Sequence, residues 1–427
     1  MDTTDTSTPF ADDALLERDV ERWLTPGHPD RGSLIADPYP LFDRIRASNP
    51  VYKSAVGPWI VTRFDDVFAI LRDLRWSRDV SHAHNAHLQQ PAVGPDSQEV
   101  APSMATSIFS TWMLYTDPPE HSRLRRLVSK AFAPKAILGW QPRIDEIIAD
   151  LLADLRQRAE FDIRHDYANQ LSATVMCEMI GMPTERFDEF VQWSGALITL
   201  QEPGAPSEAT AAAERLLDDC IAFFDDLIRV KRTAPGDDII SLLLECERDE
   251  RVSREEIIGM CMMLHVAGHE TTANRITNVM FHLLADTAQH DLIRSDPSLS
   301  TNAIDEVLRF SSTGPLPRYA LVDIEVAGTV IPRGDIVIPS QGAANRDPDR
   351  FPDPHRFDIT RANARDHIAF GTGLHHCLGV NLARMESVSA LTALISEPRR
   401  LEPTGAEVRW RDSLVVRGLD RLPVRWI

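Results

Sequence analysis

Between residues 370 and 379 the chain reads Phe370-Gly371-Thr372-Gly373-Leu374-His375-His376-Cys377-Leu378-Gly379, three glycines and two histidines around one cysteine. The chemistry open to such a run is that of a thiolate, a nucleophile and a soft metal ligand. Beyond it Leu382, Met385, Val388, Leu391, Leu394 and Ile395 fall at steps that predict a helix. Cys377 is therefore expected in a loop just ahead of a helix N-terminus, where unpaired N–H groups and the helix dipole favour thiolate over thiol. The glycines would let the backbone pass close to a flat ligand. Two other readings compete. A free cysteine is usually a small buried hydrophobe, and His375, His376 and Cys377 are ligand types for zinc, but adjacent residues rarely build a tetrahedral set.

A second run, Ala267-Gly268-His269-Glu270-Thr271-Thr272, puts an acid and a hydroxyl side by side. It lies in a helix that the pair Ser253 and Glu256 should open as a capping box. That helix is expected to reach about Leu284, roughly 45 Å at 1.5 Å per residue. From Ile257 to Ala267 it is apolar on nearly every side, as in the middle of a large core. A glycine there costs about 1 kcal/mol, and a buried carboxylate costs more unless it is paired. Val279, Met280, Leu283 and Leu284 resume the apolar pattern, against a helix that merely surfaces at Glu270.

Other chemistry-bearing residues are quieter. His121 and Arg125, after Asp117-Pro118-Pro119-Glu120, are four apart on one helix face. Glu306 and Arg309 share a spacing with Glu245 and Arg248, so the pair says nothing by itself. Around these, helical spacing covers 40–47, 64–74, 144–155, 171–180, 187–200 and 211–230, with a Pro- and Gly-rich loop at 81–102 and a break at 201–207. Val51-Tyr52-Lys53 and Trp59-Ile60-Val61-Thr62 flank Gly57-Pro58 as a hairpin, and a small sheet is read over 324–338, broken at Gly328.

The composition sets outer bounds. At 427 residues and 43% hydrophobic the chain can bury a large core, and no Gly/Ser or charged linker divides it. We expect one domain over 36–427, β-richer at about 50–63 and 319–345, behind an N-terminal extension, 1–35, that is partly disordered. A net charge of −19 argues against nucleic acid. Cys177, Cys220, Cys246, Cys261 and Cys377 form no Cys-x-x-Cys pair, as in a reducing cytoplasm. The start lacks the basic and apolar parts of a signal peptide, and no run of about twenty apolar residues suits a membrane span. A cytoplasmic protein without a membrane partner is expected.

The cysteine run, with Phe370, Gly371, Gly373, His375 and Gly379 framing Cys377, resembles the haem-binding loop of the cytochrome P450 family, and the other motifs follow in that family's order. The resemblance implies a mainly α fold with small β-sheets, in which a long central helix lies over a haem and a cysteine-ligand loop. It implies haem b with Cys377 as axial iron ligand. Ala267 and Gly268 would border the oxygen site, with room for dioxygen beside Gly268, while Thr271 would hydrogen-bond the oxygen and Glu270 would relay protons. His121, Arg125 and Arg318 would hold the haem propionates, matching carboxylates geometrically. Glu306, Arg309 and Arg356 would form a buried structural triad. The loops at 81–102 and 201–207 would be the lid, 314–317 and 414–419 would approach the substrate, and His269 carries no special role.

The activity so implied is that of a soluble bacterial, actinobacterial-type haem-thiolate monooxygenase. It would use dioxygen and electrons ultimately from NAD(P)H to hydroxylate, epoxidise or couple a bulky hydrophobic molecule in secondary metabolism. With no nucleotide-binding Gly-rich turn, the electrons are expected from a separate ferredoxin and ferredoxin reductase, and the protein is expected to be a monomer. Arg361, Arg365, Arg384, Arg123, Arg126 and Lys130 would make the basic docking patch for an acidic carrier. A peroxide-driven haem-thiolate enzyme is the alternative, though it need not keep the Glu270-Thr271 pair. A haem sensor or electron carrier is a further one, which would need no lid or large pocket.

Overall fold

The computed structural model describes residues 9–83, 104–249, 251–312, 314 and 316–427. Its longest helix, Arg254–Ala285, runs for 32 residues. It begins at the expected capping box: the Glu256 N–H donates to Ser253 Oγ at 3.2 Å and the Ser253 N–H to Glu256 Oε2 at 2.8 Å. Two N-terminal donors are thereby satisfied. Every residue from Ile257 to Val266 is buried, so neighbours must surround the helix on all sides. They do. Helices Asn169–Ile180, Phe187–Thr199, Ser300–Phe310 and Val380–Ile395 and the π-helical turn Ile163–Ala168 all pack on it. Gly268 belongs to this packing: a Cβ there would collide with Met176 of the helix Asn169–Ile180. The glycine thus permits close helix approach on that side.

The helix-poor part holds a five-stranded sheet in the order Val51–Lys53, Trp59–Val61, Ile336–Pro339, Arg318–Ala320, Trp76–Ser77. The expected hairpin is its first two strands, paired Val51 with Val61, and Gly57 at φ +118° supplies the turn. Trp59–Val61 runs parallel to Ile336–Pro339, which joins the two β-rich stretches into one layer. Ile324–Val326 and Thr329–Ile331 form the small hairpin broken at Gly328. A three-stranded sheet of Glu160–Asp162, Pro423–Trp426 and Leu401–Pro403 has no counterpart in the sequence reading. Its strands, three or four residues each, are too short for alternation to register, and long stretches of chain separate the first from the other two.

The N-terminal extension is described from residue 9 onward. Residues 9–36 fold as helices Pro9–Leu24 and Gly32–Ala36, and Leu16, Val20, Trp23 and Ile35 are buried with Tyr39, Phe42 and Ile45. Amphipathic spacing on so short a helix gains stability only from the body it docks against. The first eight residues, and the loop at 81–102 from residue 84 onward, lie outside the described residues. The break at 201–207 is present, between Phe187–Thr199 and Ser207–Thr233. Glu202 ties it down by accepting the Ser413 hydroxyl at 2.8 Å and the Leu414 N–H at 2.7 Å. The 411–418 loop in turn packs on the central helix and on Gly314. A Cβ at Gly418 would meet Asn274, and one at Gly314 the Leu414 carbonyl.

Glu306 and Arg309 are fully buried and paired through Arg309 Nε and Glu306 Oε2 at 2.7 Å. Their expected third member is wrong. Arg356 leaves 68% of its side chain exposed and reaches only Asp358, at 3.9 Å. Arg361 fills the place: its Nε lies 3.2 Å from Glu306 Oε1 and its side chain is 9% exposed. Asp353, at φ +48°, makes a left-handed turn three residues before Arg356. Arg356 joins the network through its carbonyl, which accepts from Arg309 at 3.1 Å and from Arg361 at 3.0 Å. Removing a partner of a buried pair typically costs ~3–5 kcal/mol, whereas an exposed one is worth under about 1 kcal/mol. Urea unfolding should therefore show Arg361→Ala destabilised by ~3 kcal/mol and Arg356→Ala close to the parent.

Candidate functional site

Two left-handed glycines shape the cysteine loop. Gly371 has φ +67° and Gly373 φ +70°, which other residues rarely adopt, and a Cβ at Gly373 would press on the Leu71 carbonyl. After the single turn Gly373–His375 the Cys377 N–H donates back to the Phe370 carbonyl at 2.9 Å. The helix Val380–Ile395 then starts as expected, with Gly379 as its N-cap. Arg125 clamps the loop from outside, donating to the His376 carbonyl at 2.7 Å and to the Leu374 carbonyl at 3.4 Å. So it grips the cysteine loop itself, a contact its propionate role did not foresee.

Burial pushes the Cys377 thiol up, against the Arg275 charge, the Gly379 N–H and Arg125, which pull it down. The expectation that the helix end alone yields a thiolate is corrected. The dipole effect is worth ~0.3–1 kcal/mol near a surface, and desolvation of a buried anion exceeds it. A bound cation reverses the balance, because a coordinating thiol is deprotonated outright.

Beside the loop the chain concentrates positive charge with almost nothing to answer it. His375 is pushed far down by burial and by Arg78, Arg318, His121 and Arg125 together. The His121 and His375 rings lie 4.4 Å apart, and burial takes His121 down to about 4, so it is neutral at pH 7. Arg318 is buried and, among the described residues, bonds its own stretch, the Leu316 carbonyl at 3.5 Å and the Pro317 carbonyl at 3.3 Å. Among the described residues His121 Nδ1 and Arg78 Nη2 are buried without any hydrogen-bond partner. The nearby acid, Asp117, is engaged by the Ser77 hydroxyl and the Arg78 N–H. Buried polar groups left unpaired are costly. This constellation therefore fits a ligand that brings two carboxylates, as haem does with its propionates, set beside a loop that offers one sulfur. The residues present fit haem.

Arg78 was missed in the sequence because a lone arginine after a two-residue strand carries no periodic or motif signal.

The acid-hydroxyl pair sits where the central helix opens. Ala267 is exposed and Gly268 and Thr271 are partly so, in a helix buried almost throughout. Thr271 Oγ1 donates to the Ala267 carbonyl at 2.8 Å, one turn back, and so stands at the opening. Glu270 faces away and is buried, bonded to Arg164 at 2.6 Å and to Arg411 at 2.9 Å. Burial alone would raise its pKa, yet the two guanidinium groups and His269 hold the carboxyl well below the usual range. It is a carboxylate at every working pH, and handling a proton requires loosening one of its arginines. Arg164 stands on the π-helical turn Ile163–Ala168, and Arg411 follows the short strand Arg409–Trp410. Neither position is marked in the sequence, since each matters only through the tertiary approach to Glu270. His269 faces the helix Phe187–Thr199, with Nδ1 3.1 Å from Ser194 Oγ, and burial takes it down to about 4.

The expected basic patch is redistributed. Arg361 is spent on Glu306, Arg384 pairs with Asp305 at 2.7 Å, and Arg123 is held by Glu256 and Glu120. Arg126, Lys130 and Arg365 remain exposed.

Comparison with known proteins follows the same lines. The Cytochrome P450 family model matches residues 78–295 and 289–407. Vitamin D(3) 25-hydroxylase of Pseudonocardia autotrophica is 38% identical over 403 residues, 92% of this chain and 94% of that one. The 6-deoxyerythronolide B hydroxylase of Saccharopolyspora erythraea is 35% identical over 402 residues, 92% and 97% of the two chains. The structure of the tirandamycin C-bound monooxygenase TamI superposes with a TM-score of 0.81 at 35% identity, covering 92% of this chain and 98% of that one.

Proposed function

Since the chain belongs to the cytochrome P450 family, we propose that this monooxygenase inserts oxygen into a bulky hydrophobic small molecule, with Cys377 as its iron ligand and electrons delivered by a ferredoxin. What carries the reading is the buried cluster beside the cysteine loop, the Arg78 and Arg318 guanidinium groups next to the His121 and His375 rings, with Arg78 Nη2 and His121 Nδ1 lacking a hydrogen-bond partner among the described residues. Haem, when bound, supplies dioxygen activation, favoured by electron donation from a thiolate.

The chain's own residues do the rest. Cys377 presents one sulfur from a loop whose dihedrals Gly371 and Gly373 fix. Arg78 Nη2, Arg318 and His121 would hold the propionates. Arg125, clamped to the His376 carbonyl, keeps the sulfur in place. Thr271 offers a hydroxyl at the opening of the central helix; it donates to the Ala267 carbonyl here and is free to turn toward the reacting oxygen. Glu270 holds negative charge behind it and takes part in proton delivery when Arg411, the more exposed of its two partners, swings out. Solvent access through that side would feed the route.

The substrate class rests on the relatives, one named for hydroxylating vitamin D(3), another for 6-deoxyerythronolide B, and a third structure holding tirandamycin C. The exposed cations Arg126, Lys130 and Arg365 on the cysteine side suit an acidic electron carrier. Five free cysteines, four of them buried, suit a reducing cytoplasm. Among the described residues no helix is long and apolar enough to cross a membrane. We place the enzyme in the cytoplasm as a monomer fed by NAD(P)H through a ferredoxin reductase.

Thr271→Ala tests the oxygen chemistry. A positioned proton-transfer group contributes typically 10²–10⁴-fold, so product formed per electron consumed should fall roughly tenfold or more while peroxide rises. Haem content and substrate binding should stay as in the parent, because Thr271 bonds only its own helix. Unchanged coupling would remove Thr271 from the reaction and reopen the peroxide-driven alternative.

A further inference from the structure

We propose that Arg275 is the protein's own counter-charge to the Cys377 sulfur and a positioning residue that sets how readily the haem iron accepts an electron. The proposal rests on the reading of Cys377 as the iron ligand.

Arg275 stands on the central helix one turn beyond Thr271, and its side chain crosses to the cysteine loop. Its Nη1 donates to the Ala383 carbonyl at 2.8 Å and to Ser387 Oγ at 3.1 Å, both on the helix that follows Cys377. Its guanidinium lies 5.0 Å from the centre of the Phe370 ring, and the carbonyl of Phe370 receives the Cys377 N–H. Arg275 is only 7% exposed, and its Nε is buried without a partner.

A buried charge needs an anion, and the usual candidates fail. Both hydrogen-bond partners named above are neutral. Glu386 is close, but burial pushes its carboxyl well above the ordinary range, which favours its neutral form. Arg384 also lies over Phe370, at 5.4 Å, yet its charge is already answered by Asp305 at 2.7 Å. That leaves Cys377. Its thiolate is the strongest favourable charge influence on Arg275, and Arg275 is the strongest on Cys377, ahead of the Gly379 N–H and Arg125. Burial takes Arg275 down to about 10, so it stays cationic at neutral pH.

One-electron reduction of ferric to ferrous iron, with the electron coming from the reduced carrier, adds negative charge to the iron–sulfur unit. A fixed cation beside the cysteine loop, in low dielectric, favours that step. Arg275 should therefore raise the potential of the couple and ease the entry of the first electron.

Redox titration of the haem-loaded enzyme with Arg275→Leu, Arg275→Gln and Arg275→Lys tests this, with the red-shifted carbon monoxide band recorded for each protein. At the parent's midpoint potential the ferrous-to-ferric ratio should fall at least tenfold in the Leu and Gln variants, ~59 mV for one electron. The Lys variant should stay within threefold of the parent. If Leu fails to take up haem, Gln against Lys decides. Leu and Gln within threefold of the parent, or Lys falling as far as Gln, would overturn the proposal. Haem uptake by none of the three would make Arg275 a folding residue and overturn it as well. Absence of the red-shifted band in the parent would instead overturn Cys377 as ligand.

Discussion

Cys377→His loses the red-shifted carbon monoxide band of the ferrous enzyme and, with it, oxygen insertion by on the order of 10²–10³, the scale of removing one group that acts on the reacting centre. Histidine can ligate iron but donates less electron density than a thiolate, so the push that favours O–O cleavage goes. The other cysteines cannot stand in. Cys177, Cys220, Cys246 and Cys261 are buried, and burial raises the Cys177 thiol to about 12 and lifts Cys220 and Cys261 as well. None of these three thiols has an arginine among the charges acting on it, whereas Cys377 has Arg275 and Arg125. The measurement is a carbon monoxide difference spectrum of the purified variant beside turnover with a reductant system. A persisting red-shifted band would send the search to another ligand.

Glu306→Gln should act on the fold that carries the loop. Glu306 is fully buried and receives Arg309 through both Nε, at 2.7 Å, and Nη2, at 2.8 Å, together with Arg361 and the Asp358 N–H at 2.9 Å. An amide in its place keeps the shape and leaves two guanidinium groups buried without an anion. Breaking a buried pair in this way costs ~3–5 kcal/mol, or 10²–10³ in the folded population. The network also fastens the segment leading to the cysteine loop, through Arg309 to the Asn345 and Pro354 carbonyls and Arg361 to that of Pro352. Haem content after expression and the urea midpoint should therefore fall together. A variant with full haem content and an unmoved midpoint would show that the pair is dispensable.

The two variants separate the ligand from its support. Cys377→His should fold and bind haem with altered spectra, while Glu306→Gln should keep the correct ligand but hold less haem.

Much of this protein was legible one residue at a time. Local interactions within a few positions fix a capping box at Ser253 and Glu256, left-handed turns at Gly371 and Gly373, and a hairpin at Gly57, so sequence alone determined the central helix, the cysteine loop and the first two strands. The acid-hydroxyl pair at Glu270 and Thr271 was visible because polar residues interrupt an apolar helix at a cost. What sequence could not reach depends on which distant chain comes close. Arg361 rather than Arg356 completes the Glu306 network because of the tertiary course of the loop that carries both. Arg164, Arg411, Arg78 and Arg275 acquire meaning only when helices and strands far apart in the chain are packed together. A guanidinium has a long reach and no local conformational signature, so its partner is chosen by tertiary approach and by the demand that buried charge be answered.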